Sequence, residues 1–351
     1  MRNRAGTIAP TTRATAECPL FGEVARELAG FGPEALAECL DDQRRRGGRL
    51  GEALHHRGLL TRAQIGEVLR EQARRAAGAF GAEAGVRFPD PAFLSLCMPA
   101  YNERENIVDT LDSACAILPQ FVAKFEVVVV DDGSRDGTGR VVEDYARREP
   151  RVRLVTHPQN RGYGAAVTSG LRAAQGELVV FTDSDGQFCL LDLPRLLTLR
   201  HRYDLIIGYR KHRADPFYRR LNAWAWNVLV WAVLGVRVRD LDCAFKLLPR
   251  GVVDRLRLTA TGAAINAEIM AQCVRNGLSI REVPVGHYPR HHGEPTGARL
   301  RVIARAFREL AILRKYRRSP ELTWDPEPGA DEVPPLDQIS SLNLPPVALP
   351  K

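Results

Sequence analysis

From Phe93 onward, short apolar runs alternate with stretches in which apolar residues recur every three or four positions. Phe93–Met98, Phe125–Val130, Val152–Val155 and Leu178–Phe181 have the length and β-branched content of buried strands. Glu103–Ile117, Gly137–Arg148 and Tyr163–Ala174 between them show helical spacing. Strands alternating with helices predict an α/β domain on a parallel, doubly wound sheet. Beyond Gln187 the pattern gives a helix near Leu191–His201, a strand Asp204–Ile207 and a Trp-rich helix near Phe217–Leu234. A helix near Ala263–Asn276, a strand Ser279–Val283 and a basic helix Thr296–Arg318 follow.

Ahead of this domain the pattern repeats itself. Phe21-Gly22-Glu23-Val24 followed by Leu36, Leu40 and Gln43 recurs, 29 residues on, as Leu50-Gly51-Glu52-Ala53 followed by Ile65, Leu69 and Gln72. Each copy reads as a helix-turn-helix unit, with Thr61 as the N-cap of the last helix. Two copies make a small all-α module over residues 20–76. Residues 77–91 are small and Gly/Pro-rich and read as a linker, and 92–318 as the α/β domain. Residues 1–19 and the acidic, proline-rich 319–351 read as disordered ends.

Composition sharpens this division. The chain has 351 residues, with 50 Lys and Arg against 42 Asp and Glu, a formal charge of +8. The segments 1–90, 91–200, 201–318 and 319–351 carry +2, −3, +14 and −5. The positive excess is confined to one stretch rather than spread or tailed, which speaks against a nucleic-acid binder. The 7 cysteines (Cys18, Cys39, Cys97, Cys115, Cys189, Cys243, Cys273) are scattered singly, as reduced thiols in a cytoplasm would be, with no structural zinc expected. No continuous apolar run in the first twenty residues suits a secretory signal. Leu221–Val236 is interrupted by Asn222 and Asn227 and is too short to span a bilayer.

In an open α/β sheet, ligands bind at the carboxyl ends of the strands, and polar residues crowd there. The first strand runs into Pro99-Ala100-Tyr101-Asn102-Glu103, the second into Asp131-Asp132-Gly133-Ser134, the third into Asn160-Arg161-Gly162-Tyr163-Gly164, and the fourth into Asp183-Ser184-Asp185-Gly186-Gln187. Clustered carboxylates repel unless a cation sits among them. Asp183, Asp185 and Gln187 alternate along an extended segment and offer two carboxylates and an amide oxygen to a hard ion, Mg2+ or Mn2+. Gly162 and Gly164 serve either as turn residues or as the close approach of backbone to a nucleotide.

The segments CMPAYNERENI, VVVVDDGSRDGT, NRGYGAA and FTDSDGQF, in this order, resemble the family 2 glycosyltransferases of GT-A fold. The branch most similar is that of dolichol-phosphate mannose synthase and the polyprenyl-phosphate glucosyltransferases, over about residues 92–318. The resemblance implies that Pro99, Tyr101, Glu103 and one or both of Asp131 and Asp132 hold the base and ribose of a nucleotide diphosphate sugar, with Gly162 alongside. It implies that Asp183, Asp185 and Gln187 hold the metal on the diphosphate. Arg239-Asp240-Leu241-Asp242-Cys243-Ala244-Phe245-Lys246 resembles the family's R-D-x-x-C-G-F-K segment, with Ala244 where Gly is usual. Pro289-Arg290-His291-His292-Gly293 resembles its P-R-x-x-G segment, in which Arg290 closes on the diphosphate; the histidines read as part of a basic loop rather than a zinc site.

A phosphate acceptor is already anionic near neutral pH and needs arginine clamps more than a base. Arg210 and Arg220, in a cluster with Lys211, Arg213 and Arg219, are the acceptor candidates; the Ser that follows the acceptor Arg in relatives is absent here. Trp224, Trp226 and Trp231 sit either at headgroup level or in the core. Leu300, Ile303, Phe307 and Leu310 form one stripe of the last helix, and Arg301, Arg305, Arg308 and Lys315 the other, the pattern of an interfacial helix on an anionic membrane.

The second amino-terminal repeat, with Arg49, Leu50, Gly51, Leu54 and Gly58, resembles the amino-terminal domain of type II secretion and pilus ATPases, part of which binds cyclic di-GMP. The first copy departs from that pattern, with Leu20 where Arg is expected and Ala29 where Gly is expected, so a docking module and a nucleotide sensor both stand open. The expected activity is inverting, metal-dependent transfer of a hexose from a nucleotide diphosphate sugar to a lipid phosphate, by a peripheral protein at the cytoplasmic membrane face. A hydroxyl acceptor would instead require a base, from among Asp240, Asp242 and Glu268. A non-catalytic nucleotide receptor is the reading from another class.

Overall fold

In a computed structural model, the structure describes residues 21–46, 49–210, 217–288, 290 and 300–314. The ends expected to be disordered, 1–19 and 319–351, lie outside the described residues.

The amino-terminal module contains α1 (Phe21–Ala29), α2 (Pro33–Arg46), α3 (Leu50–His56) and α4 (Arg62–Ala84). Its repeat is a packing symmetry. Gly22 lies against Leu36 of its own copy and Leu50 of the other, and the equivalent Gly51 lies against Ile65 and Phe21. A side chain at either glycine would press on the ends of these neighbours, so the repeat is written at the crossing. Val24, Ala25, Cys39, Leu54, Leu60 and Val68 close a small core of their own. Thr61 caps α4: its hydroxyl accepts from Gln64 N at 3.2 Å while its own N–H donates to Gln64 Oε1 at 2.8 Å, the reciprocal pair of a capping box.

Residues 77–91 are not an irregular connection. Helix α4 continues to Ala84 and stops at Gly85, whose left-handed backbone (φ 66°) forms the C-cap. Alanine spacing drives the continuation: Ala73, Ala76, Ala77 and Phe80 bury one stripe of α4 in the core of the following domain, and Arg195 stacks its guanidinium 4.9 Å above the Phe80 ring. One helix therefore belongs to two cores, and the module is fused to the domain rather than tethered.

The α/β domain holds β1 (Asp90–Ala100), α5 (Ile107–Ile117), β2 (Val122–Asp131), α6 (Thr138–Ala146), β3 (Val152–Thr156), α7 (Tyr163–Ala173), β4 (Leu178–Phe181), α8 (Leu193–Leu197), β5 (Leu205–Arg210) and α9 (Phe217–Leu234). There follow β6 (Lys246–Pro249), α10 (Arg250–Arg255), α11 (Ile265–Arg275), β7 (Ile280–Val285) and α12 (Leu300–Leu313). The seven strands form one sheet in the order β3-β2-β1-β4-β6-β5-β7. It is mixed, not parallel as expected: β6 runs antiparallel to both β4 and β5, while the other pairs are parallel. Only four residues long, β6 had no alternation to announce it. Its direction has a consequence for the site, because the segment leading into it arrives at the carboxyl ends of β4 and β5, where Phe181 and Ile207 both face Lys246.

Candidate active site

The loops after β1, β2 and β4 are stitched into one surface by main-chain hydrogen bonds. Asn102 takes a left-handed backbone (φ 57°), accepts from Arg135 N through Oδ1 at 2.9 Å and donates its own N–H to Ser134 Oγ at 2.9 Å. Glu103 N donates to Thr138 Oγ1, and Ser184 Oγ donates to the carbonyl of Pro99 at 2.8 Å. Pro99 is thus a buried strand residue that anchors the β4 loop through its carbonyl, while Tyr101 stands open to solvent beside it.

The two adjacent carboxylates after β2 do different work. Asp131 accepts from Ser134 N at 3.0 Å and lies against Gly139 of α6, where any side chain would collide with its carboxylate. Asp132 turns the other way and holds the β3–α7 loop, accepting from Arg161 N at 2.9 Å and Gly162 N at 2.8 Å and bonding His157 Nδ1 at 2.6 Å. It is a brace for that loop. Gly162 (φ 106°) is required by the chain's own packing, since a Cβ there would run into the Thr261 carbonyl, and Gly164 is pressed in the same way against Ala260 and Gly262. The close approach anticipated for a nucleotide is made to residues 260–262.

Asp183 and Asp185 stand at the centre. Burial and the neighbouring Asp185 charge push the Asp183 carboxyl up to about 7, against a hydrogen bond from Tyr163 Oη at 3.1 Å. Burial also raises Asp185, opposed by the Gln187 N–H at 3.0 Å and by Arg290, whose Nη1 is 3.6 Å from Oδ2. Arg290 Nη2 donates to Glu103, so this arginine bridges the β1 and β4 loops. Burial raises the Glu103 carboxyl, and Asn106 and Arg290 pull it back down. Gln187 is locked by Tyr288, donating Nε2–H to its carbonyl at 2.9 Å and accepting its N–H on the main chain at 2.8 Å.

Two like charges that suppress each other's ionisation, with an amide oxygen nearby, suit a divalent cation. Among the described residues no group of three or more His, Cys, Asp or Glu could enclose a metal ion. A cation here would keep part of its shell for a ligand's oxygens, as Mg2+ and Mn2+ do on phosphates. The donor set fits such an ion.

The segment before β6 brings Asp240 and Asp242 to the same edge with opposite fates. Arg210 and Asp240 form a bidentate pair at 2.7 and 2.8 Å, and Arg210 N adds a third contact at 3.2 Å. The pairing raises the guanidinium's pKa although burial alone would lower it. The pair engages both Arg210, expected on an acceptor phosphate, and Asp240, expected as a base. Glu268 is also spoken for: fully buried, it accepts from Thr259 and Ala260 N–H groups. Asp242 has Trp226 Nε1 at 3.2 Å, and burial and the Asp240 charge raise its carboxyl. Burial, with the Asp183, Asp242 and Asp185 charges, raises the Tyr163 hydroxyl well above its ordinary value. Tyr163 went unassigned in the sequence, although its place after the third strand was visible.

Of the remaining candidates, the Arg219, Arg220, Trp224, Leu300, Arg301 and Ile303 side chains, residues 211–216, Pro289, 291–299 and Lys315 lie outside the described residues. Trp226 is half buried, in edge contact with Phe307 at 5.9 Å, whereas Trp231 is exposed. Arg305 does not join an outward basic stripe: it donates to Glu309, to Thr261 and to the Arg161 carbonyl. Of the apolar stripe expected on an interfacial helix, Phe307 is exposed and Leu310 is buried. Leu50 and Gly51 sit at the crossing of the two repeats, Leu54 is in the module core and Gly58 (φ 70°) makes a turn. Arg49 donates to the Asp109 carbonyl and Ser113 Oγ of α5, both at 3.2 Å.

Residues 95–257 match the family model for glycosyl transferase family 2. The dodecaprenyl-phosphate galacturonate synthase of Rhizobium johnstonii is 30% identical over 204 residues, 57% of this chain and 60% of that protein. The dolichyl-phosphate beta-glucosyltransferase of Dictyostelium discoideum is 29% identical over 217 residues, 56% of this chain and 66% of that one. The chain thus spans about two thirds or less of the length of these relatives. Among solved structures, glucosyl-3-phosphoglycerate synthase from Mycobacterium tuberculosis, crystallised with Mn2+ and UDP-glucose, aligns with a TM-score of 0.52 at 23% identity, over 68% of this chain and 82% of that one. This likeness concerns the fold. The described fold is thus of GT-A type, and its residues 95–257 resemble a family 2 glycosyltransferase domain.

Proposed function

We propose that the protein is an inverting, metal-dependent glycosyltransferase that moves a hexose from a nucleoside diphosphate sugar to a lipid phosphate at the cytoplasmic face of a membrane. The observation that carries this reading is the pair Asp183 and Asp185 after β4, with Tyr163 on Asp183 and Arg290 joining Asp185 to Glu103. Tyr101, Glu103 and Asp131 line the place for base and ribose, and Asp132, Pro99 and Gly162 shape it. Asp183, Asp185 and Gln187 would hold Mg2+ or Mn2+, which supplies charge stabilisation to the leaving diphosphate. Arg290, able to exchange Glu103 for phosphate oxygens, closes the site. The acceptor oxygen forms the new bond to the anomeric carbon as the bond to the diphosphate breaks.

A lipid acceptor is supported by the names of the relatives and by the surface of α9 and α12. Trp231, Phe307 and Ile312 are 54%, 51% and 57% exposed on these two packed helices, with Arg308 among them. Aromatic and basic side chains on one exposed face suit an anionic bilayer surface. No helix among the described residues is long and apolar enough to cross a membrane. Asp242 favours a second reading, transfer to a hydroxyl, in which it takes the acceptor's proton.

The amino-terminal module is assigned to docking rather than to cyclic di-GMP sensing, because Arg49 is engaged by α5 and Leu54 and Gly51 by the module's own packing. Titration of the full chain with cyclic di-GMP checks this; saturable binding overturns it. The function is tested by screening UDP-glucose, UDP-N-acetylglucosamine and GDP-mannose, each radiolabelled, for Mn2+-dependent transfer to undecaprenyl phosphate. Label in the lipid phase is the expected result, retained in Asp242→Asn. Turnover of a donor that labels a hydroxyl acceptor but not undecaprenyl phosphate, and is lost in Asp242→Asn, selects the hydroxyl reading, and absence of turnover of every donor revives a receptor role.

A further inference from the structure

The amino-terminal module reaches the centre of the site through one side chain. Arg49, the residue before α3, extends across α5, where Nη1 is fixed by the Asp109 carbonyl and Ser113 Oγ. Its Nη2 then lies over Gly186, in the middle of the Asp183–Gln187 loop, so close that a Cβ on that glycine would collide with it. Gly186 has a left-handed backbone (φ 72°), so glycine is favoured there by conformation, and its bare Cα leaves room for the arginine above it. The same stretch of loop is held from below by Thr110 Oγ1, which donates to the Ser184 carbonyl at 3.1 Å.

We propose that Arg49 is a positioning residue for the Asp183–Gln187 loop, through which the docked amino-terminal module sets the geometry and charge of the donor site. A separate contact ties the module to α5 without touching the loop or Arg49: Arg62 of α4 pairs with Asp109 Oδ1 at 2.9 Å. Arg49 thus combines a steric stop on Gly186 with a positive charge that acts on Asp185 together with Arg290. A cation held by Asp183 and Asp185 needs both carboxylates aimed at one point, and a loop free to rock about Gly186 would not supply that. The positioning of the loop stands on this geometry; its consequence for donor binding rests on the function proposed above.

Amide hydrogen exchange on the full chain separates the two. In Arg49→Ala, segment 184–187 is expected to exchange about tenfold faster, and in Arg62→Ala, which loosens the module without touching the loop, at the wild-type rate. Arg49→Lys restores the charge and part of the protection. Calorimetry with Mn2+ and UDP should show binding weakened about tenfold in Arg49→Ala and unchanged in Arg62→Ala. Unchanged exchange at 184–187 in Arg49→Ala, or equal acceleration in both variants, overturns the proposal. Wild-type protein that binds neither UDP nor GDP with Mn2+, while the exchange contrast holds, counts against the proposed function and leaves the positioning role intact.

Discussion

Two charged pairs lie at the carboxyl edge of one sheet, on either side of the Phe181–Lys246 register, and they are opposites. Arg210 and Asp240 complete each other, with three hydrogen bonds between them. Asp183 and Asp185 frustrate each other, and one is held half protonated near neutrality. In the sequence both read as functional charge. Charge that its neighbours satisfy holds the fold together; charge that they leave in conflict is kept for something that arrives later.

The sharpest way to break this contrast is to neutralise one member of each pair. Asp183→Asn should lower transfer by about a thousandfold or more, since the diphosphate loses a direct partner for its metal. The melting temperature should hold or rise, because a like-charge conflict has been removed. A large loss of stability with activity per folded molecule retained would place Asp183 among the structural residues instead.

Asp240→Ala should do the reverse. Leaving Arg210 buried and unpaired costs about 3 to 5 kcal/mol, visible as a lower midpoint in urea. Arg210→Ala should cost a similar amount, and the double variant clearly less than the two together, because each single change strands the other's charge. Additive losses in that cycle would mean that the pair is not a unit.

The frustrated pair should also announce itself through pH. Asp183 titrates near 7 in the fold against an ordinary value near 3.8, so the folded state holds its proton more tightly than the unfolded chain. The stability this contributes is complete below about pH 3.8 and is lost as pH rises through about 7. Metal binding must expel the same proton. Mn2+ affinity should climb up to about pH 7 and level off above it, with protons released at about pH 6 and none at about pH 8. A flat affinity profile would show that Asp185 and the ligand's oxygens hold the ion without Asp183.

Much of the donor half was legible, and the reasons are physical. The bounds of β4, Leu178–Phe181, follow from an uninterrupted buried run between turn residues, and in the amino-terminal module Thr61 reads as the N-cap of α4. What was hidden is whatever depends on a partner far along the chain. Nothing in Asp131-Asp132 says that the second carboxylate faces the Arg161–Gly162 loop, because neighbouring side chains point apart and only the sheet decides which meets what. Residues 77–84 look like a linker until the next domain offers the alanines of α4 a surface. Likewise β6 exists because β4 and β5 present two open edges to four residues with little signal of their own.

The smallest effects belong to the outer face of the acceptor half, where the comparison extends from pairs to patches. Arg305 looked identical to Arg308 in the sequence, one helical turn apart in the same basic helix. In the fold Arg305 is taken up by Glu309 and Thr261, whereas Arg308 stays exposed next to Phe307. Only the second can meet a membrane. Arg308→Gln should weaken binding to anionic vesicles by about fivefold, the worth of one basic residue near such a surface, and the loss should fade as salt is raised. Phe307→Ser should weaken it by a similar factor that salt does not erase, since what it removes is buried apolar area. Arg305→Gln should leave the vesicle affinity alone and lower the melting temperature instead. Equal losses of vesicle binding in the two arginine variants would mean that net charge, and not the exposed face of α12, brings the protein to the bilayer.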